Sequence, residues 1–210
     1  TAGAASHYEE AWQYQKALLD LGAPVDVLGY QCHFHSVGLP FEKGAPKAGA
    51  DAFTMKGVNA AFERLATLGK PVHITEFSAP SRSSKKVEGS QPGLTPEEVA
   101  AWVVNFYTLA FSKPYIRELV CWNVVDGVGG QAIDAGLLTK QGEKKPLYFA
   151  LRKLLKEDWT TRWQGELAGG AASFRGFFGQ YEARLDGFEP AQFSISSQGK
   201  REIVVRLRPR

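Results

Sequence analysis

The fold of this chain is decided by one short stretch, VHITEF at Val72–Phe77. Its apolar and β-branched residues are typical of a buried strand, and the strand ends at the carboxylate of Glu76. A helical pattern at Phe53–Leu68 and a break at Gly69–Pro71 precede it. Alternation along the strand predicts that His73 faces the helices, away from Glu76. In a (β/α) barrel the C-terminal strand ends carry the reactive side chains, so Glu76 is a candidate reactive carboxylate.

Two neighbouring strand patterns also end in polar side chains. The run Val25–His33 finishes with Gln31 and His33. The run Leu119–Trp122 leads directly to Asp126. Gln31 and His33 lie on one face of their strand because side chains alternate between the two faces. We therefore predict one site that is built from three strand ends.

Helical and strand periods alternate along the first three quarters of the chain. Helical spacing covers Tyr8–Leu21 and Pro146–Leu155. The sequence Thr95–Glu98 forms a capping box with proline at the first helical position, which predicts the start of a further helix. Because helices that alternate with strands imply parallel strands, we predict an α/β fold for residues 1–157.

The sequence changes character after Asp158. Short alternating runs separated by glycines predict a small antiparallel β-module of four or five strands in residues 158–210. The five runs are Trp159–Arg162, Ala171–Arg175, Phe178–Leu185, Gln192–Ser196 and Glu202–Leu207. We therefore predict two domains, with the boundary between residues 157 and 158.

Composition excludes several classes of function. The 210 residues are 44% apolar, and Lys plus Arg exceed Asp plus Glu by only 25 − 22 = 3 charges, which argues against a nucleic-acid partner. No apolar run approaches the ~20 residues that span a bilayer, so no membrane association is predicted. The four histidines and two cysteines lack zinc-site spacing, and we predict no metal and no cofactor. Cys32 and Cys121 are expected to be buried free thiols. The opening residues Thr1–Ser6 show no signal-peptide pattern and are expected to be a linker or a cut point.

Four segments, in this order and spacing, resemble the C-terminal half of glycoside hydrolase family 10, the endo-β-1,4-xylanase family. They are similar to the sixth, seventh and eighth barrel strands and to the closing turn with the last helix. The segments are Pro24–Phe34, Lys70–Glu76, Val120–Asp126, and Gly136–Leu138 followed by Lys145–Tyr148. The tail, above all Arg175–Tyr181, resembles sandwich modules that are appended to bacterial polysaccharide-degrading enzymes.

The resemblance implies a fold, an activity and a set of site residues. The fold is a partial (β/α)8 TIM barrel, about strands 6–8, followed by a small sandwich-like antiparallel module. The activity is retaining endo-β-1,4-glycanase hydrolysis of plant cell-wall xylan, with Glu76 as the nucleophile and His33 beside it. Gln31 and Trp122 would contact the polysaccharide substrate, and Asp126 would either do so or cap the following turn. The protein would be secreted or periplasmic.

The same resemblance implies that one catalytic group lies elsewhere. The general acid/base glutamate of the family comes from the fourth strand. We therefore expect this group on an N-terminal half of the barrel or on a complementary chain. The 210 residues alone are expected to be inactive.

Two departures from the family pattern leave a second function open. The family has an acid two residues after the nucleophile, which orients the histidine, and this chain has Ser78 there. A second tryptophan of the sugar platform falls near Gly130. These departures favour a non-catalytic polysaccharide-binding or scaffold protein, whereas the retained site residues favour the enzyme.

Overall fold

The computed structural model describes residues 4–34, 54–79, 94–127, 134–196 and 202–210. The chain divides into two compact units between Leu151 and Arg152. The boundary that the sequence predicts, between residues 157 and 158, lies a few residues later, because it was placed where the short alternating runs begin.

The first unit alternates helices and strands. Its elements are α1 (Ala4–Asp20), β1 (Leu28–His33), α2 (Met55–Ala66), β2 (Val72–Ser78), α3 (Pro96–Phe111), β3 (Ile116–Cys121) and α4 (Pro146–Lys153). The strands form one sheet in the order β1-β2-β3, and both strand pairs are parallel. The predicted α/β character with parallel strands is therefore confirmed.

One strand boundary differs from the predicted one. β1 begins at Leu28 rather than Val25, because the Val25 amide donates to a carbonyl two residues earlier, within a turn. The apolar run alone therefore does not mark where pairing begins in this strand. β3 begins at Ile116, as the strand pattern over Ile116–Trp122 predicts, and Ile116 pairs with Val72 of β2.

The capping box predicted ahead of α3 is present. Thr95 Oγ1 accepts a hydrogen bond from the Glu98 amide (3.2 Å), and the Glu98 carboxylate accepts one from the Thr95 amide (2.8 Å). Thr54 Oγ1 caps α2 by accepting from the Gly57 amide (3.0 Å). These side chains satisfy first-turn amides that have no partner within the helix, and so they define where both helices begin.

An apolar layer between the sheet and the helices α2 and α3 forms the core of the first unit. Val72 and Ile74 of β2 are fully buried. Phe77 stacks on Phe106 of α3 with 4.5 Å between ring centroids, and Phe106 meets Phe62 of α2 edge-on at 5.7 Å. One face of the sheet is thereby packed against helices, while polar side chains lie on the other face.

The second unit contains one regular antiparallel pair, β4 (Gly179–Ala183) with β5 (Ala191–Ile195). The antiparallel character was predicted, but the count of four or five strands is wrong for the residues described. Outside this pair, the described residues of the second unit contribute the isolated bridges Ala168–Ala171 and Phe188–Pro209. Gly169 and Gly170 have positive φ angles of 59° and 79° and close a turn so tight that a single residue pair bridges it.

Within the described part of the chain, no helix is long and apolar enough to cross a membrane. Cys32 is buried, Cys121 is half-buried, and both are free thiols. Among the same residues no group of three or more histidine, cysteine, aspartate or glutamate side chains is arranged to hold a metal ion.

Candidate active site

The carboxyl ends of β1 and β2 bring four polar side chains together. Because the two strands are parallel, Gln31 lies beside Glu76 in the register and His33 lies beside Ser78. Parallel strands present their carboxyl ends at one edge of a sheet, and this edge carries the candidate site.

A bulge in β2 determines which face Glu76 occupies. Tyr30 pairs with Ile74 and Gln31 pairs with Glu76, so Thr75 is one extra residue on β2. Thr75 Oγ1 donates to the Tyr30 carbonyl (3.0 Å) across the bulge. An extra residue reverses the alternation of side chains beyond it. In a regular strand Glu76, two residues after the buried Ile74, would lie on the buried face. The extra residue places Glu76 on the opposite face instead.

The same bulge overturns the prediction for His73. Its Nδ1 lies 2.9 Å from Glu118 Oε2 of β3, and the two side chains are 32% and 54% exposed. The neighbours Val72 and Ile74 are the ones that are buried. His73 thus lies on the open face of the sheet, the face that Glu76 joins after the bulge, and does not face the helices.

Both carboxylate oxygens of Glu76 have a hydrogen-bond partner. Gln31 Nε2 donates to Oε1 at 3.0 Å, and His33 Nε2 lies 2.9 Å from Oε2. The side chains of His33 and Glu76 are 19% and 20% exposed, so the group is sheltered but open to solvent. Two partners on separate oxygens hold the carboxylate plane in one orientation, which a positioned nucleophile requires.

His33 is itself held by two further side chains. Its Nδ1 lies 2.8 Å from Oγ of Ser78, which is 2% exposed. The ring of Trp122 meets the imidazole edge-on, with 6.1 Å between centroids and 77° between planes. The Trp122 amide donates to the Phe77 carbonyl (2.9 Å), which extends the strand pairing by one residue. The indole remains 50% exposed and offers a flat apolar surface beside Glu76.

Asp126 makes different contacts. Lys145 Nζ donates to its two carboxylate oxygens at 2.8 and 3.0 Å, and the Gly136 amide donates to Oδ1 at 2.8 Å. Lys145 Nζ also donates to the Asp134 carbonyl (2.6 Å). These contacts tie the segment after β3 to the start of α4. The structure brings Gln31, His33, Glu76 and Trp122 together; the contacts of Asp126 organise the turn.

Sequence reasoning missed one residue of the cluster. The sequence identified Ser78 only as the residue that stands where the resembled pattern has an acid, yet its hydroxyl contacts His33. The available signal was its position at the end of β2, opposite His33 in the register. The other predicted departure, Gly130, lies outside the described residues.

The arrangement supplies one oriented carboxylate, a histidine, an amide donor and an exposed indole. Cys121 does not add a nucleophile, because burial raises the pKa of its thiol and keeps it protonated at neutral pH. A fixed carboxylate beside a flat aromatic surface suits attack on a sugar ring, since pyranose faces stack on aromatic rings.

Comparison with known proteins places the chain among the glycoside hydrolases. The model of glycosyl hydrolase family 10 matches residues 3–154. The chain belongs to this family, as the sequence resemblance predicted.

Solved structures are similar to this chain over part of their length. The family 10 structure from Paenibacillus barcinonensis is 20% identical with a TM-score of 0.52, and the match covers 73% of this chain and 43% of that one. Xylanase 10B from Thermotoga maritima is 22% identical with a TM-score of 0.48, covering 70% of this chain and 41% of that one. The chain thus spans about two fifths of these relatives.

A curated relative carries a regulatory name. Anti-sigma-I factor RsgI6 from Acetivibrio thermocellus is 28% identical over 189 residues, which are 89% of this chain and 20% of that protein. The chain therefore corresponds to about a fifth of this relative.

Proposed function

We propose that this chain carries the nucleophile side of a retaining endo-β-1,4-glycanase that acts on xylan. The observation that supports the proposal is the Glu76 carboxylate, held by Gln31 and His33 at the carboxyl edge of a parallel sheet. In this proposal the three β/α units are about strands 6–8 of a (β/α)8 barrel. The acid/base carboxylate comes from a segment outside the 210 residues or from a complementary chain.

The chemistry follows from the needs of a retaining mechanism. Such an enzyme uses two carboxyl groups about 5–5.5 Å apart. An oxygen of Glu76 forms a bond to the anomeric carbon as the glycosidic C–O bond breaks, and the leaving oxygen takes a proton from the second carboxyl group. The second carboxyl group, now ionised, then takes a proton from water, whose oxygen forms a bond to the anomeric carbon as the ester C–O bond breaks and Glu76 leaves as a carboxylate. Trp122 stacks on a pyranose face and holds the reacting ring over Glu76.

An activated substrate tests the nucleophile without the missing acid. In 2,4-dinitrophenyl β-xylobioside the leaving group departs as a stable anion and needs no proton. We expect a burst of about one equivalent of dinitrophenolate, since the glycosyl-enzyme accumulates when no general base activates water. Xylan, whose leaving group must be protonated, is not expected to be hydrolysed by the 210 residues alone.

Two glutamate variants make the test specific. Glu76→Gln should abolish the burst. Glu118→Gln is the matched control, because Glu118 lies in the same sheet and contacts His73 rather than the cluster. A burst that survives Glu76→Gln would contradict the proposal.

The second candidate function is polysaccharide binding without catalysis, as part of a scaffold or a regulator. Ser78 in place of an acid favours it, and so does the similarity to a relative named as an anti-sigma factor. In that case labelled xylo-oligosaccharides would bind with no dinitrophenolate burst. Binding would be weakened by Trp122→Ala and unchanged in Glu76→Gln.

A further inference from the structure

The partners of His33 constrain where its ring protons lie. Nε2 lies 2.9 Å from Glu76 Oε2, and an ionised carboxylate only accepts hydrogen bonds. Nε2 must therefore carry a proton. Nδ1 lies 2.8 Å from Ser78 Oγ, and a hydroxyl group either donates or accepts. Ser78 is thus compatible with an Nδ1 that has no proton.

We propose that Ser78 is a positioning residue that donates its hydroxyl proton to His33 Nδ1 and holds the neutral ring as the Nε2–H tautomer facing Glu76. This inference rests on the proposed function, because it concerns the nucleophile of that site. Among the described residues, the ring contacts the charged group of Glu76 on β2 and the uncharged ring of Trp122, after β3.

An acid at position 78 would change the charge of the ring. A carboxylate there accepts only, and Glu76 also accepts only, so both ring nitrogens would need protons and His33 would be an imidazolium. The Ser78 hydroxyl removes this requirement. His33 can then be neutral while it keeps both hydrogen bonds.

The charge of His33 matters for the attacking step. Glu76 loses its negative charge when it forms the ester, so a neighbouring cation would stabilise the carboxylate more than the transition state. A neutral Nε2–H donor also orients the carboxylate, but it stabilises the ground state relative to the transition state less than a cation would. Ser78 therefore serves the nucleophile through His33, without touching Glu76 in the proposed step.

A second histidine of the sheet is an internal control. His73 Nδ1 lies 2.9 Å from Glu118 Oε2. By the same reasoning the neutral form of His73 carries its proton on Nδ1. The two histidines are therefore expected to have opposite tautomers within one sheet.

Nitrogen NMR measures the tautomers of His33 and His73. The full chain is labelled with 15N-histidine, and long-range 1H–15N correlations are recorded from pH about 5 to 9, which brackets the ordinary imidazole pKa of about 6.5. His33→Gln and His73→Gln assign the signals. At the alkaline end we expect a protonated Nε2 for His33 and a protonated Nδ1 for His73. If the chain self-associates, magic-angle-spinning spectra of the hydrated sediment report the same tautomers.

A substitution adds a second readout. In Ser78→Asp both ring nitrogens of His33 face carboxylates, which only accept hydrogen bonds, so both 15N signals of this ring should report protonated nitrogens. The signals of His73 should be unchanged. A neutral His33 with its proton on Nδ1 in the unsubstituted chain overturns the proposal, and that result does not depend on whether the variant folds.

The two proposals fail in different ways. The tautomer is read without turnover, so the expected tautomer with no dinitrophenolate burst supports the hydrogen bond from Ser78 to His33 and contradicts the glycanase. A normal burst with the opposite tautomer contradicts the role of Ser78 and leaves the glycanase in place.

Discussion

Replacing Lys145 by methionine should destabilise the first unit by about 3 kcal/mol. Lys145 Nζ donates to both oxygens of Asp126 and to the Asp134 carbonyl. The side chains of Lys145 and Asp126 are only 16% and 14% exposed. The variant leaves a sheltered carboxylate whose remaining donor, among the residues that the structure describes, is the Gly136 amide. Removing one partner of a buried ion pair costs about 3–5 kcal/mol, and we take the low end because water still reaches both groups.

Urea unfolding of three variants measures this energy. Lys145→Met, Asp126→Asn and the double variant close a thermodynamic cycle, and we expect the double variant to recover part of the loss. Lys153→Met is the matched control: this lysine pairs with Asp158 at the surface, where the two side chains are 62% and 45% exposed. Such a pair contributes about 0–1 kcal/mol.

The cycle also decides what Asp126 does. A structural role for Asp126 is contradicted if Lys145→Met costs no more unfolding free energy than the surface control while Asp126→Asn abolishes binding of xylo-oligosaccharides. That outcome would make Asp126 a substrate-binding residue, the other role that the sequence leaves open.

Three further outcomes are expected. Phe106→Ala should cost about 3–5 kcal/mol of unfolding free energy, since this ring is fully buried and stacks on Phe77; a loss below 1 kcal/mol would contradict the described core. Within the described residues β1 and β3 each have one unpaired edge, and unpaired strand edges can pair with another chain. Sedimentation of the 210 residues should therefore show self-association. A monodisperse monomer would contradict this expectation. Because the pKa of the Cys121 thiol is raised, alkylation of this residue should become fast only when the pH exceeds the ordinary thiol range of about 8–9. The free energy of unfolding should be constant below that range and should fall as the pH rises through the folded-state pKa. Rapid alkylation at pH 7 would argue against burial of the thiol.

The order of the β/α elements was predictable because it depends on local periodicity. The helix patterns, the Thr95–Glu98 capping box and the apolar runs of β1 and β2 are each visible within a dozen residues. Parallel pairing then follows from the connections. Glu76, His33 and Gln31 met in space because parallel strands align their carboxyl ends.

The features that the sequence did not predict depend on contacts between segments. The extra residue Thr75 is a property of the pairing with β1, so period-2 alternation alone placed His73 on the wrong face. Ser78 acquires its role only through His33. Asp126 finds Lys145 nineteen residues later in the chain. In the tail, alternating runs resembled strands, but a run becomes a strand only where a partner pairs with it.

Covalent trapping determines whether Glu76 is a glycosidase nucleophile. The chain is incubated with 2,4-dinitrophenyl 2-deoxy-2-fluoro-β-xylobioside, whose fluorine slows breakdown of the ester, and is then digested and mapped by mass spectrometry. We expect one fluoro-xylobiosyl group on the peptide that contains Glu76, and none in Glu76→Gln. A sugar attached to another carboxylate, or no adduct under conditions in which the inhibitor demonstrably binds, would contradict it.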